Sequence, residues 1–480
     1  MIFRANQAHR RTLTLMVATL FSSVIPSSLA VPSALSAPVS IPSTDASAAA
    51  PFADGAFENI WTRNDLPVAA KTIGRSWTWG PAPLASGLES YVDAPDGSGK
   101  RLVQYFDKAR MEINNPGGDP TSNSFVTNGL LTVELISGRM QVGDNTFVNN
   151  VPAPIDLASD ADDVNAPTYS SFGTVANTSA GEHRQPDKSN GGYASQRINR
   201  QGDVRDDATR QIAESRIAYF EETTGHNVPQ VFWDFLNSKG TIQVGVGTAN
   251  RLLLDPWIVA MGLPISDAYW ANVTIAGKNQ DVLIQAFERR VLTYVPGLPK
   301  EWQVQMGNIG QHYFEWRYGT GGVSPQKQTK PAPSNPAYIV IPMLGVQTKV
   351  EAVGVDKNRN MAIPADPYNA AWYKYGPLPG TVGNSVIDGH LDWYGIKEAI
   401  FFYLDKLKVG DRIYIRDDKG VDRVFAVSKQ LVCQYNKCPL QDIFGTTDTA
   451  RLNLITCAGV FNTSQQNYNK RLVVFADAIQ

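Results

Sequence analysis

The chain has 480 residues, 43% of them hydrophobic and 18% charged, with 43 basic and 45 acidic side chains and a formal net charge of −2. That length holds two or three domains, each able to bury a core. With a near-neutral balance and no basic stretch interleaved with aromatics, nothing points to nucleic acid. The 30 prolines and 39 glycines favour strands and loops over helical bundles.

The N-terminus reads as an export signal. Arg4, His9, Arg10 and Arg11 make a basic start, residues 12–26 are mostly apolar, and Ser28-Leu29-Ala30 and Leu35-Ser36-Ala37 both offer small residues for cleavage. The apolar run is short against the roughly 20 residues of a membrane span. Residues 1–37 are therefore expected to be a cleaved signal peptide or an N-terminal membrane anchor, and either places the remainder outside the cytoplasm. Residues 38–50, rich in Ser, Ala and Pro, read as a stalk.

Residues 51–318 form a large aromatic-rich region of mixed α+β character, whose function the sequence does not assign. Residues 130–140 and 282–294 read as strands, and residues 206–223 and 228–237 as helices. Residues 159–192 are polar and read as a long loop. Four phrases stand out: residues 75–80 (RSWTWG), 103–108 (VQYFDK), 285–294 (QAFERRVLTY) and 311–317 (QHYFEWR). Together they resemble a module found in front of diverse domains in secreted bacterial proteins. Aromatic core packing is the favoured reading of them, with a surface for sugar or cell-wall polymer as the alternative. His183, His226 and His312 show no metal-ligand spacing, and no metal or other cofactor is expected.

Residues 319–336 (GTGGVSPQKQTKPAPSNP) have the composition of a flexible linker. Beyond it, residues 337–480 read as a compact unit of short strands separated by turn signals, which suggests a closed or nearly closed β-barrel. The expected strands are residues 338–341, 346–355, 385–387, 412–416, 422–430, 451–456 and 472–476. One helix is expected at residues 397–407 (KEAIFFYLDKL), with Ile400, Phe401, Leu404 and Leu407 on a single face. The fold class is therefore mainly β, a barrel of about eight strands with short helices, behind a mixed α+β region.

All three cysteines, Cys433, Cys438 and Cys457, lie in this last unit, which holds one histidine, His390. Three is an odd number for an exported protein, so pairing would leave one free thiol as a candidate reactive group. Cys457 follows the alternating run Leu452-Asn453-Leu454-Ile455-Thr456 and reads as a thiol at a strand end, on a rim that a substrate could reach. Taken alone, such a cysteine is more often a small buried hydrophobe. His390 follows Gly389, whose backbone freedom could aim the next side chain inward. Arg471 opens the run Arg471-Leu-Val-Val-Phe475. It supplies a cation that keeps its charge at any working pH, although a solvated strand-edge arginine is a common alternative.

The three residues together resemble the sortase family of cysteine transpeptidases, in its class E and F branch. Thr456-Cys457 after an Asn-Leu-Ile strand is similar to the family's nucleophile strand, Gly389-His390 to its Gly-His, and Arg471-Leu-Val-Val to its arginine strand. Met361-Ala-Ile-Pro364, the run from Trp372 to Gly380 (WYKYGPLPG), the run from Gly383 to His390, and Phe401-x-x-Leu404 before Gly410-Asp411 extend the likeness over residues 338–480. Leu454 stands where the signature usually has a first Thr and is expected to face the core. Residues 457–471 depart from the class A pattern, which bears on the motif recognised.

The resemblance implies catalytic roles. Cys457 would attack the carbonyl of a sorting signal, His390 would serve as acid and then base, and Arg471 would hold the substrate and its oxyanion. Thr456 would assist. Asp392 would orient the imidazole in a rival Cys–His–Asp arrangement. The implied partners are secreted proteins bearing a sorting signal and an amine nucleophile of cell-wall or pilin type. Outside the cytoplasm, Cys433 and Cys438 could close a small disulfide loop. A peptidoglycan-acting thiol enzyme and a non-catalytic surface-binding protein are the alternatives. Cys-before-His order and a Ser-x-Gly-Cys context, which mark two rival thiol families, are both absent here.

Overall fold

A computed structural model describes residues 51–479, apart from 161–162, 179–181, 320–329 and 358. The expected leader and stalk, and most of the expected linker, lie outside the described residues. Among those described, no helix is long and apolar enough to cross a membrane.

The C-terminal part is a closed barrel of eight strands: β1 (Pro336–Ile341), β2 (Val346–Val353), β3 (Ala370–Tyr373), β4 (Gly383–Gly389), β5 (Arg412–Asp417), β6 (Asp422–Gln434), β7 (Ala450–Asn462) and β8 (Asn467–Ala478). Around the ring they run β1-β2-β3-β4-β7-β8-β6-β5, so β4 and β7 sit across the barrel from β1 and β5. Period-2 alternation fills the interior with Ile387, Leu452, Leu454, Leu472, Val474 and Ala476, among others, and Leu454 is fully buried there. The opposite faces of β4, β7 and β8 hold a second apolar cluster of Val386, Val473 and Phe475, with Ile455 against it and Ile443 as its cover.

Three elements differ from the sequence reading. The helix expected at residues 397–407 reduces to one short 3₁₀ turn, Leu404–Lys406, although Phe401, Leu404 and Leu407 are buried as that face required. Its backbone donors are taken by neighbouring loops, with Ala399 N bonded to Leu391 O, Ile400 N to Pro367 O and Phe401 N to His390 O, so no helical ladder forms. The strand expected at residues 130–140 is a helix over Leu131–Ser137, closed by left-handed Gly138 (φ 72°). It is buried on nearly every side, and a short apolar run does not separate a buried helix from a strand. The helix expected at residues 206–223 is two 3₁₀ turns followed by the strand Ile217–Glu221, which pairs with His226–Pro229 across Gly225 (φ 73°). One strand went unread: β3 begins Ala370-Ala371, which carries little β signal.

Residues 51–318 combine helix α1 (Gly55–Ala69) with a four-stranded and a six-stranded sheet and short helices. Its aromatic phrases supply core: Trp79, Tyr105, Phe106, Phe287, Tyr294 and Tyr313 are all buried. Beside them lies a buried ion cluster in which Arg110 pairs with Glu112 at 2.5 Å and with Glu89 at 3.3 Å. Burial pushes the Glu89 carboxyl up, but Arg110, Arg317 and Arg101 together bring it down to about 2.

This region docks on the β5 side of the barrel. Asp54 caps α1 through Ala56 N and pairs with buried Arg416 of β5, which also bonds Asp422 at 3.0 Å. Gly55 N donates to Asp422 at 2.8 Å. A Cβ at Gly55 would lie 2.7 Å from the ring of fully buried Tyr414. The seam is thus closed by backbone approach that only glycine permits. The substitution Gly55→Ala should cost about 1–3 kcal/mol by overpacking and lower the thermal midpoint. Gly74→Ala, where nothing lies within 4 Å of the added carbon, is the control. Equal midpoints for the two variants in calorimetry would refute the close-packed seam.

Candidate active site

The site is built on four adjacent strands. β4 runs parallel to β7, with Asp388 opposite Ile455, and β7 runs antiparallel to β8, with Cys457 directly opposite Arg471. β8 pairs with β6, with Arg471 opposite Cys433. Alternation from the outer residues Val386, Ile455 and Val473 places Asp388, Cys457 and Arg471 on the outer face, and His390 follows one residue beyond β4. The sheet therefore sets Cys457 and Arg471 side by side on one face, with His390 just past the end of the adjacent strand.

Cys457 and Arg471 were expected at a strand end and a strand start. Both instead lie inside long strands, because β7 and β8 continue as an arm to Asn462 and from Asn467. A register shift between Ala458 and Phe461 bends that arm. It exposes Val460 and Phe461.

Gly389 works by closeness. A Cβ there would meet the Phe401 ring at 2.4 Å, so the position before His390 is glycine because Phe401 fills that space. It is not among the residues of positive φ, which replaces the conformational reason expected from sequence. Thr456 faces inward, fully buried, and its hydroxyl donates to Gly389 O at 2.8 Å, tying β7 to the end of β4.

The His390 Nε2 lies 3.0 Å from the carbonyl oxygen of Pro364. A carbonyl only accepts, so Nε2 carries the proton in this contact. The Trp393 ring meets the imidazole edge-on, 4.5 Å between centroids. Asp392 accepts a hydrogen bond from the Tyr468 hydroxyl on β8. Arg471 donates to Tyr468 O (3.1 Å), Lys470 O (2.9 Å) and Asn467 Oδ1 (2.8 Å).

Cys457 is half-buried and free, whereas Cys433 and Cys438 are joined in a disulfide with Cα atoms 5.2 Å apart. Burial pushes the Cys457 thiol up; the Arg471 charge opposes this, and Asp388 and Asp392 add to it. Burial also raises Asp388 to about 7, against the pull of Arg471. Asp388 is thus a titratable neighbour of the thiol that the sequence reading passed over. Its signal was the same period-2 step that relates it to His390. Trp393, Tyr435 and Tyr468 were passed over as well. Nothing local marks Tyr468, because its contact with Asp392 spans 76 positions of the chain. Among the described residues, no group of three or more His, Cys, Asp or Glu side chains is placed to hold a metal ion.

No curated protein matches the chain. Solved structures similar to it include sortase C1 of the GBS pilus island 1 (22% identity, 30% of this chain and 65% of that one, TM-score 0.24). A pilus-related sortase C of group B Streptococcus is also similar (21%, 31% and 70%, TM-score 0.24). A third is sortase C-1 from Actinomyces oris (22%, 30% and 73%, TM-score 0.24). The chain spans slightly under two thirds of the first of these. Residues 339–479 match the model of the sortase domain family, and the chain thus carries a sortase domain as its C-terminal barrel.

Proposed function

We propose that this protein is a sortase-type cysteine transpeptidase with Cys457 as nucleophile, His390 as acid and base, and Arg471 as the oxyanion's cation. The observation that carries the reading is the cross-strand register of Cys457 with Arg471, with His390 just past the end of the neighbouring parallel strand. The Cys457 thiolate adds to the carbonyl carbon of a sorting signal, and the electron pair moves onto oxygen beside the Arg471 guanidinium. Collapse of this adduct breaks the C–N bond, and His390 protonates the departing amine. A second amine, deprotonated by His390, attacks the thioester and releases Cys457. The substrates are secreted proteins bearing a sorting signal, and the acceptor is an amine of the cell envelope or of another protein. The reading of residues 1–37 as a signal or anchor supports an extracytoplasmic location. Residues 51–318 dock at β5, across the ring from β4.

The test is transfer of a fluorogenic sorting-signal peptide to an amine acceptor. Cys457→Ala should abolish it, by at least about 10³-fold, and His390→Ala and Arg471→Ala should each lower turnover by about 10²-fold or more. Transfer that survives in Cys457→Ala would sink the assignment. Release of muropeptide fragments without peptide cleavage would instead favour a peptidoglycan-acting thiol enzyme.

The raised thiol carries a second expectation. Its thiolate fraction is small at neutral pH, so alkylation of Cys457 by iodoacetamide should accelerate with pH to beyond the ordinary thiol range. Arg471 favours the thiolate, and Arg471→Ala should slow alkylation at a fixed pH by about three- to tenfold. Ionised Asp388 disfavours it, so Asp388→Asn should speed the reaction at pH 8, above the Asp388 transition near 7. Shifts of the opposite sign in mass-spectrometric alkylation rates would overturn this electrostatic account.

A further inference from the structure

Arg471 bonds backbone and Asn467 on its own strand, and a further neighbour comes from a turn beyond β6. Cys433 of β6 is its register partner, and the chain turns just beyond, at Gln434, to Cys438, where the disulfide closes the turn. Tyr435 lies inside that closed turn. Its backbone N–H donates to Asn469 O of β8 at 3.1 Å, fastening the turn to the strand that carries Arg471. Its ring faces the guanidinium, 6.0 Å from Cζ to centroid, at the reach of a cation–π contact. The side chain is 41% exposed, so the ring is not there to fill a core.

We propose that the disulfide-closed turn from Cys433 to Cys438 is a positioning element for Arg471, acting through the face of Tyr435. The inference rests on the reading of Arg471 given above. Fixing an arginine side chain costs it rotamer entropy. A ring face and strand carbonyls that hold it beforehand remove that cost from the catalytic step. Opening the turn frees Tyr435 and with it the guanidinium. The chemistry is simple: dithiothreitol breaks the S–S bond, Cys433 and Cys438 each take up a proton, and the reductant closes to its cyclic disulfide. Cys457, already a free thiol, is unchanged.

The test uses the full chain and the sorting-signal peptide on which the parent is most active, with active sites counted by alkylation of Cys457. Per counted site, Tyr435→Ala should lower kcat about threefold with KM moved less, as expected for one partly exposed cation–π contact, and Tyr435→Phe should stay near the parent. The double variant Cys433→Ser/Cys438→Ser, and the parent treated with dithiothreitol, should fall by at least the same factor, and the reductant should leave the double variant unaffected. If Arg471→Ala lowers kcat while Tyr435→Ala and the double variant do not, the inference is overturned and the role of Arg471 stands. If Arg471→Ala itself keeps full turnover, the assignment of Arg471 falls and this inference falls with it. A loss confined to the count of active sites, with kcat per site unchanged, assigns the turn to folding and also overturns the proposal.

Discussion

The register of β7 against β8 is the constraint on which everything else rests. Cys457 faces Arg471 across the pair, and alternation turns both outward while Leu454, Thr456 and Leu472 face the barrel. Because the side-chain period is two, a slip of one residue would place the thiol in the apolar interior and expose the leucines. The slip would cost the burial of every alternate residue along both strands, so the hydrophobic core enforces the geometry of the polar site. Thr456 adds a local lock, since its inward hydroxyl bonds Gly389 O and sets how far along β7 the His390 turn begins.

The closure of the barrel then separates two tasks. Its β5 side is occupied by α1, through Asp54, Gly55 and the buried Arg416–Asp422 pair. A buried pair of this kind adds little net stability over an apolar contact, but removing one partner strands the other charge. Its effect is therefore selective: it penalises any docking that does not bring Asp54 to Arg416. The β4–β7–β8 face lies elsewhere on the ring and carries Asp388, Cys457 and Arg471.

Much of this was legible from residue order. The alternation in residues 451–456 gave the inward and outward faces, and Gly-His, Thr-Cys and Arg-Leu-Val-Val marked three positions that the structure sets on three adjacent strands or their ends. What was not legible depends on partners distant in the chain. Phe401 explains why residue 389 is glycine, and no pattern near residue 389 names Phe401. The helix expected at residues 397–407 had the right buried face but lost its ladder to carbonyls at Leu391, Pro367 and His390. Tyr435 and Tyr468 reach the site by strand pairing over tens of residues, which local propensity does not encode.

The polar groups of the site are already partnered among themselves, and that bears on how a substrate engages them. His390 holds the Pro364 carbonyl and Trp393, while Arg471 holds two carbonyls and Asn467. On the reading proposed above, each is a donor whose present acceptors an oxyanion or a leaving amine would replace, so neither donor is left unsatisfied in the meantime. The thiol rests in the same way: burial and two carboxylates keep it protonated, and one arginine opposes them. Under the proposed roles the Cys457 thiol therefore rests protonated, and Arg471, already held by Tyr435 and its strand carbonyls, is the charge that favours the thiolate.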